Sequence, residues 1–286
     1  MKDIQVIDIQ SAEYPARLRN IPNPPKQLYF VGDLSLCSTK TVGVIGSRKY
    51  TMYGKNVTLM IGKRLAENGI TVVSGLALGI DAFSHEGALE ADGKVIGVLG
   101  SGIEKMGPVT NYGLMEKGLR NGGLVISEYP PEKPASKATF PERNRIISGL
   151  SEALIVVEAG LNSGSLITAK HAAEQGRPVY AVPGNINSQS SIGTNLLIRD
   201  GATPLVIIDD LIRDIGADIK RDSEIRPDMD EDEEKVYEIV KLMSGPTVDE
   251  IISGTGFGPQ QVNSLLTIME IKGIVESYAG RIYISR

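Results

Sequence analysis

Between residues 41 and 210 the chain alternates short apolar runs with longer amphipathic segments. The runs cover residues 42–45, 71–73, 95–99, 124–126, 154–157, 179–182 and 204–208. Their hydrophobicity is continuous rather than alternating, which predicts strands buried on both faces, as in a parallel sheet. Helix-length segments lie between them. In one, Val57, Ile61 and Leu65 recur every four residues, and Gly69 stands where a helix C-terminal cap belongs. Strand–helix alternation with short turns predicts right-handed βαβ units. The fold class is therefore α/β, a doubly wound, mostly parallel, Rossmann-like sheet over 41–210.

The flanks read differently. Residues 1–40 hold Pro15, Pro22, Pro24 and Pro25, too few residues and too many prolines for an independent core, so they are expected to pack on the main domain. Residues 211–229 turn charged and polar and run into an acidic stretch at 228–234, the composition of a linker. From 230 to 286 come three helical patterns: Val236, Ile239, Val240 and Met243; then Val248, Ile251 and Ile252; then Val262, Leu265, Leu266 and Met269. Two candidate strands at 274–277 and 281–284, turning at Ala279-Gly280, follow. Three helices and a hairpin predict a small winged-helix domain.

Composition changes this picture little, with 41% hydrophobic and 23% charged residues, as in an ordinary soluble globular protein. The single cysteine, Cys37, excludes an internal disulfide framework and a multi-cysteine metal site and fits a reducing compartment. Residues 1–10 lack the hydrophobic stretch of a secretory signal, and no apolar run approaches the roughly 18 residues of a membrane helix. A cytoplasmic protein with no membrane insertion is expected. The net charge of −5 argues against a nucleic-acid partner. Its distribution reverses that argument, because residues 228–286 hold 11 acidic and 5 basic residues, a net of −6 that leaves +1 for residues 1–227. A nearly neutral body can still bind a polyanion through a local cluster.

In an open α/β sheet, ligands bind outside the carboxyl ends of the strands. Small-residue loops are predicted there: Gly46-Ser47-Arg48, Ser74-Gly75-Leu-Ala-Leu-Gly79, Gly100-Ser-Gly102, residues 158–165 with Ser163, Gly164 and Ser165, and Pro183-Gly-Asn185. Glycine lets the backbone approach a phosphate, and the helix N-termini that follow offer unpaired N–H groups. One such loop is equally explained by a tight strand-to-helix turn; five at one edge favour an anion site. No G-x-G-x-x-G follows the first strand and no G-x-x-x-x-G-K-[ST] occurs, which sets aside dinucleotide and P-loop sites. His85 and His171 fall on predicted helices and form no metal-ligand pair. Asp81 and His85, four apart, could pair locally, but no nucleophile accompanies them. No cofactor, metal or catalytic constellation is expected. Residues 139–151 stand out, placing Arg143, Asn144 and Arg145 close to Phe140. Arginines clamp phosphates and an aromatic ring stacks on a base, although two surface arginines and a core Phe would look the same. Lys170, on the helix after Ser165, could add positive charge.

At these residues the sequence resembles the DNA-processing protein A (DprA/Smf) family. The motifs are Ser47-Arg48 with Tyr53-Gly54; Ser74-Gly-Leu-Ala-Leu-Gly-Ile-Asp81; Ser127-Glu-Tyr-Pro130; Phe140-Pro-Glu-Arg-Asn-Arg-Ile-Ile-Ser-Gly-Leu150; Gly164-Ser-Leu-Ile-Thr-Ala169; Pro183-Gly184; and Gly193-Thr-Asn-Leu-Leu-Ile198. They occur in the family's order over roughly residues 14–208. The resemblance implies a cytoplasmic bacterial homodimer, without established enzymatic activity. It would bind single-stranded DNA, protect it from nucleases and load the RecA recombinase during natural transformation. It assigns binding to Arg48, Phe140, Arg143, Asn144, Arg145, Gly164 and Ser165, with Lys170 outside the motif. The family's G-x-D-x-x-Y-P-x-x-N after the third strand is altered here, with Glu104 and Gly107 in place of its aspartate and tyrosine before Pro108 and Asn111.

Two other readings compete. The wider superfamily includes the "lonely guy" phosphoribohydrolases, nucleotide-hydrolysing enzymes with P-G-G-x-G-T-x-x-E. Residues 159–168 here lack that glutamate. Alternatively the winged-helix tail reads DNA, but residues 258–273 offer only Lys272 against Glu270. That composition predicts a tail that contacts protein, or the body of its own dimer.

Overall fold

The computed structural model describes residues 3–219, 229–243, 245–278 and 280–284. The chain forms two compact units, Met1–Ile219 and Lys220–Arg286. In the first, the elements run β1 (Gln5–Asp8), α1 (Ala16–Arg19), β2 (Gln27–Gly32), β3 (Thr41–Ile45), α2 (Met52–Glu67), β4 (Thr71–Ser74), α3 (Ile80–Glu90), β5 (Val95–Leu99), α4 (Tyr112–Arg120), β6 (Leu124–Ser127), α5 (Thr139–Leu150), β7 (Ala153–Val156), α6 (Gly164–Glu174), β8 (Val179–Ala181), α7 (Ile192–Arg199), β9 (Thr203–Pro204) and α8 (Ile208–Asp214).

Among the described residues nine strands make one sheet, ordered β1-β2-β6-β5-β4-β3-β7-β8-β9. From β6 to β9 neighbours pair in parallel. Successive side chains of a strand face opposite ways, and here both faces are dry. Val42 and Val44 pack with Ile61, Leu65, Ile80 and Leu211 from α2, α3 and α8, while Ile45 packs with Ile146, Ile147 and Ala169 from α5 and α6. This is why the strands read as unbroken apolar runs. Helix α2 ends as its pattern predicts, with Gly69 at φ +71° beyond the cap residue Asn68.

Three boundaries differ from the sequence reading. Residues 1–40 do more than pack on the domain: β2 pairs antiparallel with β6, and β1 with β2. Their prolines bracket the strands instead of interrupting them, and the Tyr14 hydroxyl donates to the Pro25 carbonyl at 2.7 Å. The expected strand at 204–208 shrinks to Thr203–Pro204, because Ile208 already opens α8. There Arg64 of α2 grips Asp209 with two bonds of 2.8 and 2.9 Å. The same helix replaces the start of the expected linker 211–229, of which residues 220–228 lie outside the described residues.

The second unit holds α9 (Glu231–Met243), α10 (Val248–Thr255), α11 (Pro259–Ile271) and a hairpin of β10 (Val275–Tyr278) and β11 (Arg281–Ile284). That is the winged-helix element order; Ala279 of the expected turn lies outside the described residues. A capping box between Thr247 and Glu250 starts α10, and Gly256 at φ +73° stops it. Val236, Val240, Ile251, Val262, Leu266 and Met269 form its own core.

Candidate nucleic-acid interface

After β3 the chain steps through β4, β5 and β6 on one side, then crosses to β7 on the other. At such a reversal the loops leaving neighbouring strands diverge to opposite faces and open a crevice. A cavity of about 710 Å³ fills it. Gly46, Ser47, Arg48 and Lys49 line it from the loop after β3. Gly160, Asn162, Ser163, Gly164 and Ser165 line it from the start of α6, and Phe140, Pro141, Arg143 and Asn144 from α5.

The exposed layer sets a cation and an aromatic ring opposite a helix N-terminus. The Arg48 guanidinium lies 5.1 Å over the Phe140 ring. Gly100 makes room for that ring, since a Cβ there would sit 2.9 Å from it. Opposite, Ser163 caps α6: its Oγ accepts the Ser165 N–H at 3.4 Å and lies 2.6 Å from the Ser165 Oγ. A Cβ on Gly164 would meet open space, so no neighbour crowds the start of α6, where Ser163 takes the Ser165 N–H with its Oγ and the Leu166 N–H with its carbonyl. The Asn144 amide reaches the Gly164 carbonyl at 3.4 Å and ties α5 to α6.

Beneath lies a buried charge pair. Arg143 is 3% exposed and donates to the Gly75 carbonyl at 2.8 Å and to that of Val98. Asp81, also buried, accepts the Gly75 N–H at 3.1 Å. Burial raises the Asp81 carboxyl while Arg143 and the Gly75 and Gly46 amides pull it back. Burial pushes the Arg143 guanidinium down to about 10, against the opposing pull of Asp81. Any side chain on Gly75 would run into both charged groups. Gly79, at φ +82°, packs on the loop after β3, where a Cβ would stand 3.0 Å from the Arg48 Cα.

The structure thus separates the expected site residues into layers. Ser47, Arg48, Phe140, Asn144, Ser163, Gly164 and Ser165 share the cavity wall. Arg143 reaches it as a buried brace, not as an exposed clamp, and Gly75 and Gly79 support it from behind. Arg145 is not brought to the cavity: Phe140, Arg143, Asn144 and Ile147 mark the face of α5 that lines it, and at about 100° per residue position 145 lies on the far side of the helix from 143. Its guanidinium forks onto Glu128 at 2.7 and 2.6 Å instead. Lys170 points into solvent from the second turn of α6, with Glu174 at 3.8 Å. The Asp81–His85 pair does not form either: His85 is 1% exposed and neither ring nitrogen bonds to Asp81. The altered loop after β5 lies away from the cavity, and Asn111 pins the Leu76 and Ala77 carbonyls at 3.0 Å each. Sequence reasoning missed Lys49, Asn162 and Gln189 of the lining. The first two adjoin recognised motif residues, whereas Gln189 sits in an irregular segment with no local signal.

Comparison with known proteins converges on one family. The family model for DNA recombination-mediator protein A matches residues 5–216. The chain is 41% identical over 213 residues to the DNA processing protein DprA of Bacillus subtilis, covering 74% of this chain and 71% of that one. It is 42% identical over 197 residues to the protein Smf of Escherichia coli, covering 69% of this chain and 53%, about half, of that relative. A solved structure of DNA processing protein A from Helicobacter pylori, described for its single-stranded DNA binding mode, superposes with a TM-score of 0.67 at 33% identity. That match covers 74% of this chain and 95% of the other.

Proposed function

The chain belongs to the DNA recombination-mediator protein A family, and on that premise we propose that the crevice between β3 and β7 binds single-stranded DNA. The observation that carries this is the Arg48–Phe140 stack facing the open N-terminus of α6 across one cavity. It offers a cation and the positive end of a helix to a phosphate and an aromatic face to a base. A duplex hides its base faces in the stack, so only an unpaired strand can use both.

The role we infer is binding, not catalysis. Asp81 is the one carboxylate in the described lining, and its oxygens are held by backbone amides and Arg143. The Ser163 Oγ lies 2.6 Å from the Ser165 Oγ, and among the described residues the cavity lining holds no histidine and no carboxylate besides Asp81. Activating a hydroxyl nucleophile takes such a base. The family further supports a cytoplasmic homodimer that protects the strand and loads the RecA recombinase onto it. Recombinase filament growth on strand held by this protein measures that step, and filaments no faster than on bare strand would exclude it. For the cavity, Arg48→Ala and Phe140→Ala should each weaken single-strand binding about tenfold in a gel-shift titration. Unchanged affinity in both would remove the cavity from the binding path.

A further inference from the structure

The cavity holds one or two nucleotides by volume, so a longer strand must continue over the surface beyond it. We propose that it continues over a second stacking platform formed by Tyr50 and Phe83, with Lys55 beside it, an inference that rests on the single-strand reading of the cavity.

Three observations place the platform. Tyr50 is 44% exposed, although an aromatic ring of its size is ordinarily covered. Its ring meets that of Phe83 edge to face, with centroids 4.6 Å apart at 86°, so the two rings brace each other. The Lys55 ammonium stands 5.1 Å over the Phe83 ring. This repeats the chemistry of the cavity, where Arg48 stands 5.1 Å over Phe140. One loop joins the two pairs: Arg48 and Lys49 line the cavity and Tyr50 is the next residue. Two residues of extended chain span at most about 7 Å. That is roughly two steps of a stacked strand at about 3.4 Å each. The Cα atoms of Arg48 and Tyr50 therefore lie within about 7 Å of each other, which sets Tyr50 at the edge of the cavity wall that a strand must cross.

The charge around the platform suits a modest role. The nearby Glu86 carboxyl is raised by partial burial, with Lys55 pulling it back, so Lys55 serves both this acid and the open face. Stacking, not phosphate capture, is then the main contribution, and the subsite should be tolerant of base identity.

Length-dependent binding tests this. Oligothymidylates from about 3 to about 20 nucleotides are titrated against the wild type, Tyr50→Ala, Tyr50→Phe and Phe140→Ala, with thermal melting to confirm the fold. Tyr50→Ala should bind the longest oligonucleotide about fivefold or more weakly and the shortest as the wild type does, while Tyr50→Phe should recover the long-strand affinity. Phe140→Ala should lose affinity at every length. No loss for Tyr50→Ala on the long strand, or an equal loss at all lengths, overturns the platform while leaving the cavity reading intact. No loss for Phe140→Ala at any length overturns the cavity reading itself.

Discussion

Arg143 shows how a residue chosen for the right ligand can act through a different contact. Its Nη1 donates to both the Gly75 and Val98 carbonyls, and the buried guanidinium feels the charge of Asp81. Removing one member of a buried charge pair costs about 3–5 kcal/mol, because the other charge and the freed acceptors stay buried. Arg143→Ala should therefore lower the melting temperature sharply, and its loss of DNA binding should follow the loss of fold. The double variant Asp81→Asn/Arg143→Met should recover much of the stability. A normal melting curve for Arg143→Ala with DNA binding abolished would instead make Arg143 a direct phosphate ligand. The motif placed Arg143, Asn144 and Arg145 together along the chain, and that much was legible. What the sequence could not show is which way each points: helix α5 turns Asn144 into the cavity, Arg143 beneath it and Arg145 across to Glu128.

At the scale of elements, the parallel strands were legible because both faces are dry, as the split of Val44 and Ile45 between two cores shows. The strands β1 and β2 were not, because a short antiparallel edge among prolines has neither a long apolar run nor a clean alternation. Strand β9 was overread: Val206 and Ile207 look like sheet residues, yet they are 78% and 56% exposed and only lead into α8. Helix α3 carries a consequence of its own. Burial lowers His85 to about 4, the Ile96 backbone opposing the shift. The folded protein therefore refuses a proton that the unfolded chain accepts at its ordinary value near 6.5. Stability is whole above pH 6.5 and falls as the pH drops toward 4, by on the order of 3 kcal/mol from this group. Asp81, raised by burial, contributes in the opposite direction. The difference between the wild type and His85→Leu isolates the histidine: denaturant midpoints should diverge with pH between 6.5 and 4, the variant being the less acid-sensitive. Parallel curves would show that His85 is not buried neutral.

For the whole molecule, charge and architecture point to the first unit as the DNA binder. Helix α11 spans 13 residues without a lysine or arginine, and Lys272 just beyond it is paired with the buried Glu233 at 2.7 Å. A chain ending at residue 225 should keep its single-strand affinity within about threefold, since phosphate contacts need cations and α11 carries none; a loss beyond tenfold would return the role to the tail. The central claim, a phosphate-and-base cavity between β3 and β7, is tested most directly by one titration. An oligothymidylate and a duplex of equal length are titrated across a salt series with the wild type and Arg48→Ala. The account predicts tighter binding to the single strand, an affinity that falls with salt, and a salt slope about one unit shallower for Arg48→Ala. Equal affinity for duplex and single strand, or an Arg48→Ala slope identical to that of the wild type, would contradict it.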